Sequence, residues 1–417
     1  IKRNLIPGRN LALAGNFNLV NTEELFDLVN VNPGEFQKQS DLAAMMEVIH
    51  HFLVKEDEIS PNAPDLNKVL RKAAPLFDGG FHIGGLIGNG HSFVLRDAHG
   101  IRPAYYYINE EVIVAASERA AIRTTFNVGE NEVLELMPGQ ALIVDDAGKY
   151  RIEQILEPKE RRACSFERIY FSRGSDEKIY RERIALGHHL SRTVLDNINH
   201  DLKNTIFSYI PNTAEVAFFG LVKGMEEYLN KIKVERILSW GKDFTPEKLE
   251  EMVNRKIRQE KIAIKDVKLR TFITEDASRN EMVQHVYDIT YGTVRRGEDT
   301  LVVIDDSIVR GTTLKQSIVR MLARLQPKKI IVVSSAPQIR YPDCYGIDMS
   351  KLGDFIAFRA AVELLKERNM EDVLTKAHEE IKELQRTNQL HTRNVVRDIY
   401  HPFTPEDISN KIAQLIT

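Results

Sequence analysis

Apolar and polar positions divide the chain into two differently patterned parts. In the first part, residues 22–29 and 41–54 carry apolar side chains at helical spacing behind capping residues, which predicts two helices. Alternating stretches that are typical of strands follow at 81–87, 92–95, 112–116 and 140–144, with a hairpin turn at Asn89 and Gly90. Strands joined by hairpins, with helices grouped at one end, predict an α+β layered domain.

The pattern changes after a short charged linker at residues 158–162. The apolar stretches 302–304 and 329–334 flank a helical stretch from about 312 to 325, which predicts a βαβ unit and therefore a parallel sheet. Residues 206–210 predict a further strand, and residues 371–389 predict a helix with a solvated, mixed-charge face. This second part is therefore expected to be an α/β domain.

Composition excludes several classes of function. The 417 residues are too many for one ordinary core, and the formal net charge of −3 gives no basic excess for nucleic acid. Two cysteines, Cys164 and Cys344, exclude a disulfide scaffold and a four-cysteine metal site, and no run of 18 apolar residues exists. We expect a cytoplasmic protein without nucleic-acid or membrane partners. Because the sequence starts at Ile1 and enters a strand pattern at once, we also expect residues upstream of it.

The richest chemistry lies in residues 301–314. A buried strand places Asp305 and Asp306 at the carboxyl edge of a parallel sheet, where α/β folds bind ligands. The loop that follows carries hydroxyl groups on Ser307, Thr312 and Thr313, and Gly311 gives its backbone conformational freedom. Its N–H and hydroxyl groups suit a phosphate, whereas two carboxylates would repel one and suit ribose hydroxyls or a divalent cation. The GxxxxGK[ST] loop of ATPases is absent, so the pattern favours a sugar phosphate.

The sequence from Asp305 to Thr313, DDSIVRGTT, resembles the motif with which type I phosphoribosyltransferases bind 5-phosphoribosyl 1-pyrophosphate (PRPP). The longer match is to the amidophosphoribosyltransferase family. Further segments resemble that family in the same order, at residues 96–103, 116–118, 138–140, 166–173, 210–213, 265–273 and 340–349.

This resemblance implies an architecture that covers nearly the whole chain. Residues 1–160 would form an N-terminal-nucleophile glutaminase-like domain of the layered α+β kind, incomplete because it lacks its nucleophile segment. Residues 161–370 would form a type I phosphoribosyltransferase domain with a parallel sheet, followed by a helical segment at 371–417. Residues 220–260 separate Thr213 from Lys265 much further than is usual in the family, so we expect an insertion there that alters loop motion or provides an interface.

The implied activity is transfer of the phosphoribosyl group from PRPP to glutamine-derived or free ammonia. The products would be 5-phosphoribosylamine and pyrophosphate, in the first step of purine biosynthesis. Thr213, Asp305 and Asp306 would hold Mg²⁺ and the ribose. The expected PRPP-binding residues are Asp305, Asp306, Ser307, Val309, Arg310, Gly311, Thr312 and Thr313. Lys265 and Arg270 would act catalytically from a loop that closes over PRPP, stabilising the pyrophosphate and excluding water.

The glutaminase half departs from the family pattern. The family uses an N-terminal cysteine as nucleophile, and no cysteine precedes Cys164. Arg9 to Asn16 predict a strand that runs into the family's oxyanion turn, where Asn16 would be a donor but Phe17 replaces a glycine. Asp41 would grip the amine of glutamine, although Ala43 replaces an acid nearby. Residues omitted upstream and a degenerate glutaminase remain alternative explanations.

Two other functions stay open at this point. One is a transferase with a dead glutaminase that uses only ammonia. The other is a PRPP-sensing regulatory protein without chemistry, against which the two cations Lys265 and Arg270 argue. Some family members carry an iron–sulfur cluster, but residues 401–404 stand where a cysteine pair would be needed, so we expect none. The resemblance further implies a homo-oligomer and feedback inhibition by purine nucleotides.

Overall fold

The structure is a computed structural model that describes residues 2–29, 40–129, 131–265, 287–312, 314–343 and 351–417. It divides into two compact units. The first comprises residues 1–176 with 343–350, and the second comprises residues 177–342 with 351–417. Within the described residues, no helix combines the length and the apolar character needed to cross a membrane.

The first unit is a layered α+β structure. Its strands are β1 (Leu11–Leu19), β2 (Gly79–Ile87), β3 (Ser92–Arg96), β4 (Tyr105–Ile108), β5 (Ile113–Ala116), β6 (Leu134–Glu135), β7 (Gln140–Val144) and β8 (Tyr150–Gln154). Its helices are α1 (Thr22–Leu28), α2 (Asp41–Ile59), α3 (Leu66–Ala73) and α4 (Arg119–Phe126). One antiparallel sheet has the order β1-β2-β3-β7-β8 and a second has the order β5-β4-β6. Helices α1 to α3 bury their apolar faces against the first sheet, with Phe26, Met45, Ile49, Leu70 and Phe81 in that core.

The prediction of a turn at Asn16 is wrong. Strand β1 continues without interruption to Leu19, since it pairs with β2 from Leu11 opposite Ile87 to Leu19 opposite Gly79. Backbone groups that a turn would have left unpaired are thereby satisfied in the ladder. The sequence predicts a cap for α2 at Ser40 or Asp41, and the cap is Ser40, whose hydroxyl accepts the Ala43 N–H at 3.3 Å.

The second unit contains the predicted parallel sheet. Its strands are β9 (Thr205–Tyr209), β10 (Arg258–Gln259), β11 (Ala263–Lys265), β12 (Tyr287–Ile289), β13 (Thr300–Asp305) and β14 (Lys329–Ser334). Its helices are α5 (Glu177–His189), α6 (Ser191–Asn197), α7 (Glu215–Ser239), α8 (Pro246–Asn254), α9 (Val319–Ala323), α10 (Ile356–Glu367), α11 (Asp372–Arg386), α12 (Val396–Tyr400) and α13 (Pro405–Ile416). The sheet order is β10-β9-β13-β14, all parallel, and the β13–β14 crossover confirms the expected βαβ unit.

Strand β13 is buried on both faces, which explains its uninterrupted apolar sequence. Val302 and Ile304 pack with α6 and α7 on one face. Leu301 and Val303 pack with α9 and α10 on the other. The strand is thereby fixed along its whole length, and so is the point at which its carboxyl end emerges.

Helices α5 and α7 approach each other backbone to backbone. A Cβ atom at Gly187 of α5 would lie 1.7 Å from the Ala217 carbonyl oxygen, and one at Gly220 of α7 would lie 2.0 Å from that of Ile184. Only glycine fits at either position. The contact places the start of α7 and the middle of α5 beside the same sheet edge.

A buried acid holds the opposite edge of the sheet together. Asp299, immediately before β13, is fully buried and accepts two hydrogen bonds from Arg258 of β10, at 2.6 and 3.0 Å. It also accepts the Arg295 N–H at 2.8 Å and the Arg295 guanidinium at 2.6 and 3.0 Å. Burial would raise the pKa of Asp299, but these hydrogen bonds outweigh it and hold the pKa well below its usual range.

Replacing Asp299 by Asn should lower the free energy of unfolding by about 2–4 kcal/mol at neutral pH, because two arginines lose their shared charged partner. The pKa is lower in the folded than in the unfolded protein, so the stabilisation is present above about pH 4 and is lost as the pH falls towards the folded value. Urea unfolding of wild type and variant at several pH values should therefore give free energies of unfolding that differ less as the pH falls.

The matched control is Asp372→Asn, which breaks an exposed pair with Lys376 at 2.8 Å and should change little at any pH. If the free energies of unfolding of Asp299→Asn and wild type differ as much in acid as at neutral pH, the stabilisation does not come from the ionised carboxylate.

Candidate functional site

Three loops meet at the carboxyl edge of the parallel sheet. They follow β9 at residues 210–213, β13 at residues 306–312 and β14 at residues 335–336. Backbone hydrogen bonds connect neighbouring loops: the Ile210 N–H donates to the Ile304 carbonyl at 2.9 Å, and the Ser335 N–H donates to the Asp305 carbonyl at 2.9 Å. The three loops therefore lie side by side at this edge.

The acid pair lies at the centre of this edge. Asp305 is half-buried and Asp306 is 9% exposed. The Asp306 N–H donates to Asp305 Oδ1 at 2.9 Å, and the Ser307 hydroxyl donates to Asp306 Oδ1 at 2.8 Å. Thr213, in the loop after β9, lies close enough to Asp306 for its hydroxyl to lower the pKa of that carboxyl. The structure thus brings together the three residues expected to hold a metal ion.

The electrostatics of the pair are unfavourable without a ligand. Burial raises the pKa of Asp305, and the neighbouring charge of Asp306 raises it further. Burial also raises the pKa of Asp306, against the hydrogen bond from the Ser307 hydroxyl, the charge of Arg183 and the nearby Thr213 hydroxyl. Two desolvated carboxylates of the same sign gain from a cation or from hydroxyl donors.

The loop after the pair is held in a tight conformation. Gly311 has a φ of +72°, and a Cβ atom there would lie 2.3 Å from Cδ1 of Ile356 at the start of α10. The Ile356 N–H donates to the Val309 carbonyl at 2.8 Å, and the Arg310 guanidinium lies 3.8 Å from the Asp354 carboxylate. The expected helix then begins as a π-helical turn, Leu314–Ile318, that continues into α9. Thr312 is exposed at the end of the loop, and Thr313 lies outside the described residues.

Lys265 ends β11, where it pairs with Tyr287 of β12. The Ile262 N–H just before this strand donates to the Ser208 hydroxyl of β9 at 3.2 Å, so the β11–β12 pair is attached to the central sheet. The Lys265 side chain is half-buried. Arg270, the other expected catalytic cation, lies outside the described residues.

Arg183 is a residue of the site that the sequence motifs did not indicate. It lies on α5, is 5% exposed, and its charge acts on Asp306. A signal was present in the sequence, because Ile179, Arg183 and Gly187 recur every four residues and place the arginine on the buried face of its helix.

Asn16 and Asp41, the expected remnant of a glutamine site, lie in the first unit and both make hydrogen bonds. The Asn16 amide donates to Glu167 Oε1 at 2.8 Å, and Arg102 donates to the same oxygen at 2.7 Å. Asp41 Oδ2 accepts the Leu19 N–H at 2.8 Å. Glu167 and Arg102 belong to segments that the sequence analysis recognised without giving these residues a role.

The fold and the site can now be compared with those of known proteins. No protein-family model matches the chain. Curated proteins named amidophosphoribosyltransferase are similar to it. That of Pseudomonas aeruginosa is 28% identical over 373 residues, covering 85% of this chain and 65% of the relative. That of Escherichia coli is 27% identical over 376 residues, covering 86% and 66%. This chain therefore spans about two thirds of the length of these relatives.

Solved structures agree in fold. The chain resembles a structure described as the allosteric regulatory enzyme of purine biosynthesis, with a TM-score of 0.62 and 26% identity over 86% of this chain and 67% of the other. It also resembles glutamine PRPP amidotransferase from Bacillus subtilis in complex with ADP and GMP, with a TM-score of 0.61 and 25% identity over 86% and 68%. The resemblance and the fold class expected from the motifs are confirmed.

Replacing Gly311 by Ala should lower the free energy of unfolding by about 2–4 kcal/mol, because a left-handed φ costs about 1–2 kcal/mol and the methyl group would overlap Ile356. The matched control is Gly297→Ala, at a φ of +70° with no atom within 4 Å of the added Cβ. Urea unfolding should show a clearly smaller loss for the control.

Ile356→Val removes the Cδ1 atom and should restore part of the stability lost in Gly311→Ala when both are combined. Equal losses at positions 311 and 297, or no coupling between positions 311 and 356, would mean that the loop is not packed against α10 as described.

Proposed function

We propose that this chain, a homologue of amidophosphoribosyltransferases, transfers the phosphoribosyl group of PRPP to ammonia derived from glutamine or taken from solution. The products are 5-phosphoribosylamine and pyrophosphate, in the first step of purine biosynthesis. The observation that carries the proposal is the Asp305–Asp306 pair at the end of β13, with the Ser307 hydroxyl hydrogen-bonded to Asp306 and Thr213 close by. The names of the relatives support the same reaction.

The oxygen atoms of Asp305, Asp306 and Thr213 suit Mg²⁺, a hard cation that prefers such donors. Among the described residues no group of three or more carboxylate, histidine or cysteine side chains could hold a metal ion by itself. When bound, Mg²⁺ supplies neutralisation of the charge that develops on the departing pyrophosphate.

The loop from Ser307 to Thr313 holds the 5-phosphate in this proposal. Ser307 and Thr312 supply hydroxyls, and Val309 and Arg310 supply backbone N–H groups just before the tight turn at Gly311. Asp305 and Asp306 then face the ribose rather than the phosphate, which separates like charges. Thr313 belongs to the proposed set by its place in the motif.

Lys265 and Arg270 stabilise the pyrophosphate and exclude water from the reacting carbon, since water would compete with ammonia. Lys265 is well placed for this role, because its strand is hydrogen-bonded through Ile262 to the strand that carries the Thr213 loop. Arg270 is included because of its place in the motif.

The remaining parts of the proposal concern the whole protein. Asn16 and Asp41 are the remnant of a glutamine site, and the hydrogen bonds to Glu167 and Leu19 would have to rearrange for them to bind glutamine. Feedback inhibition by purine nucleotides is supported by the similar structure described as an allosteric regulatory enzyme and by the similar structure in complex with ADP and GMP. A homo-oligomeric state is included because the resemblance implies it. A cytoplasmic location is supported by only two cysteines in 417 residues.

The testing experiment measures pyrophosphate release from PRPP and Mg²⁺ with glutamine and ammonium chloride supplied in parallel reactions. We expect turnover with ammonium, and turnover with glutamine if the glutamine site is functional. Binding of PRPP without turnover from either donor would contradict a transferase and indicate a sensor.

Asp305→Asn should reduce this turnover by about 10²–10³-fold, as expected for the loss of one group that binds the charged substrate and its cation. Its free energy of unfolding should not fall, because the substitution removes a desolvated charge beside Asp306. Asp372→Asn is the control and should retain full turnover. Full turnover in Asp305→Asn would remove that residue from the site.

Lys265→Ala should lower kcat by about 10–100-fold while changing the dissociation constant of PRPP much less, because the cation acts mainly on charge that develops in the transition state. The control is Lys261→Ala, four residues earlier and exposed. Equal losses in kcat and in PRPP affinity, or equal effects of the two variants, would argue against this role.

A further inference from the structure

The long helix α7 leaves the core of the second unit after Leu229. Its earlier residues are buried against the sheet, whereas the segment that follows carries large apolar side chains in solvent. Val234 is 57% exposed and Leu238 is 77% exposed, and they lie one helical turn apart on the same face. We call residues 230–254, which comprise the end of α7 and all of α8, the outer hairpin.

The outer hairpin is a defined structure rather than a loose tail. Helix α8 folds back along α7, because the Lys233 ammonium donates to the Val253 carbonyl at 3.0 Å. Thr245 caps α8, and the Lys248 ammonium donates to the Asp243 carbonyl at 2.9 Å. Met252 of α8 is buried, with 5% of its surface exposed.

These contacts bring exposed apolar groups of the two helices near one another. Val253 is 55% exposed and lies beside Lys233, next to Val234. At the tip, the rings of Trp240 and Phe244 are 6.3 Å apart, and Phe244 is 47% exposed. Single exposed apolar residues are ordinary, but a cluster of them on a protruding element is typical of an interface.

Charges of opposite sign flank this apolar surface. The α7 side, residues 231–242, is basic, with Lys231, Lys233, Arg236 and Lys242 against Glu235. The α8 side, residues 243–251, is acidic, with Asp243, Glu247, Glu250 and Glu251 against Lys248. The two signs balance, so the surface suits neither a polyanion nor a polycation. It suits a partner with the same two halves in reverse order, which a two-fold rotation of the surface itself provides.

We propose that the outer hairpin is an interface between two copies of this chain, related by a two-fold axis near Leu238. The basic end of α7 in each copy faces the acidic α8 of the other, and the apolar side chains between them become buried. This inference does not depend on the transferase reaction.

The first test compares wild type with Leu238→Glu by sedimentation and light scattering over a range of concentrations. We expect wild type to have at least twice the 47.7 kDa mass of one chain, and Leu238→Glu to weaken the association by about 100-fold. The control is Ile59→Glu, at a residue that is 70% exposed at the end of α2 and should behave as wild type. Melting followed by circular dichroism checks that all three remain folded.

A wild type that is monomeric at every concentration would overturn the proposal. An unchanged association in Leu238→Glu, or an equal loss in Ile59→Glu, would also overturn it, because the contact would then lie elsewhere or be non-specific.

The second test exchanges charges between the two halves. One variant carries Lys231→Glu and Arg236→Glu, and the other carries Glu250→Lys and Glu251→Lys. Each alone should associate more weakly than wild type, because like charges then face each other across the axis. An equimolar mixture should recover the wild-type mass, as each altered half meets its complement. No recovery on mixing would overturn the two-fold arrangement, whether or not Leu238→Glu is informative.

Discussion

Two acids frame the central strand of the second unit, and the structure treats them in opposite ways. Before β13, Asp299 is fully buried and is satisfied by two arginines, so its pKa is held low and it fixes the strand. After β13, Asp305 is desolvated beside a second carboxylate, so its pKa is raised. The strand between them is packed on both faces and has little freedom to relieve that strain. The stability at one end therefore maintains the unfavourable electrostatics at the other, which a substrate and its cation can relieve.

Much of this second unit could be predicted from local sequence. A continuous apolar strand, a polar loop with Gly311 and a following helix are signals that lie within a few residues of one another. The position of Asp305 and Asp306 at this edge followed from the rule for the carboxyl ends of parallel strands, whereas Thr213 was joined to them through the resemblance. Arg183 was missed because its relation to Asp306 arises from helix packing, through glycines on α5 and α7 that no local pattern links.

The first unit was harder to predict for a related reason. The expected turn at Asn16 depended on a short resemblance, whereas the strand observed there is set by pairing with β2, more than sixty residues later. The hydrogen bonds of Asn16 and Arg102 to Glu167 join three distant segments, so sequence alone could recognise the segments but not the side chains that meet. Likewise, the length of the 220–260 segment indicated an insertion, but only the contact of Lys233 with Val253 shows that it folds back on itself.

Helix α7 joins two places that are otherwise far apart. It begins two residues after Thr213 and ends in the outer hairpin, and its 25 residues span about 37 Å at 1.5 Å per residue. Its inner half is clamped to α5 by contacts that leave no room for a Cβ atom, so it cannot slide or roll there without breaking backbone packing. Because the inner half is held in this way, a load on the outer end of the helix is taken up by the contact between α5 and α7 before it reaches the loop that carries Thr213. The outer hairpin can therefore be bound or pulled without moving the sheet edge that carries Asp305, Asp306 and Thr213.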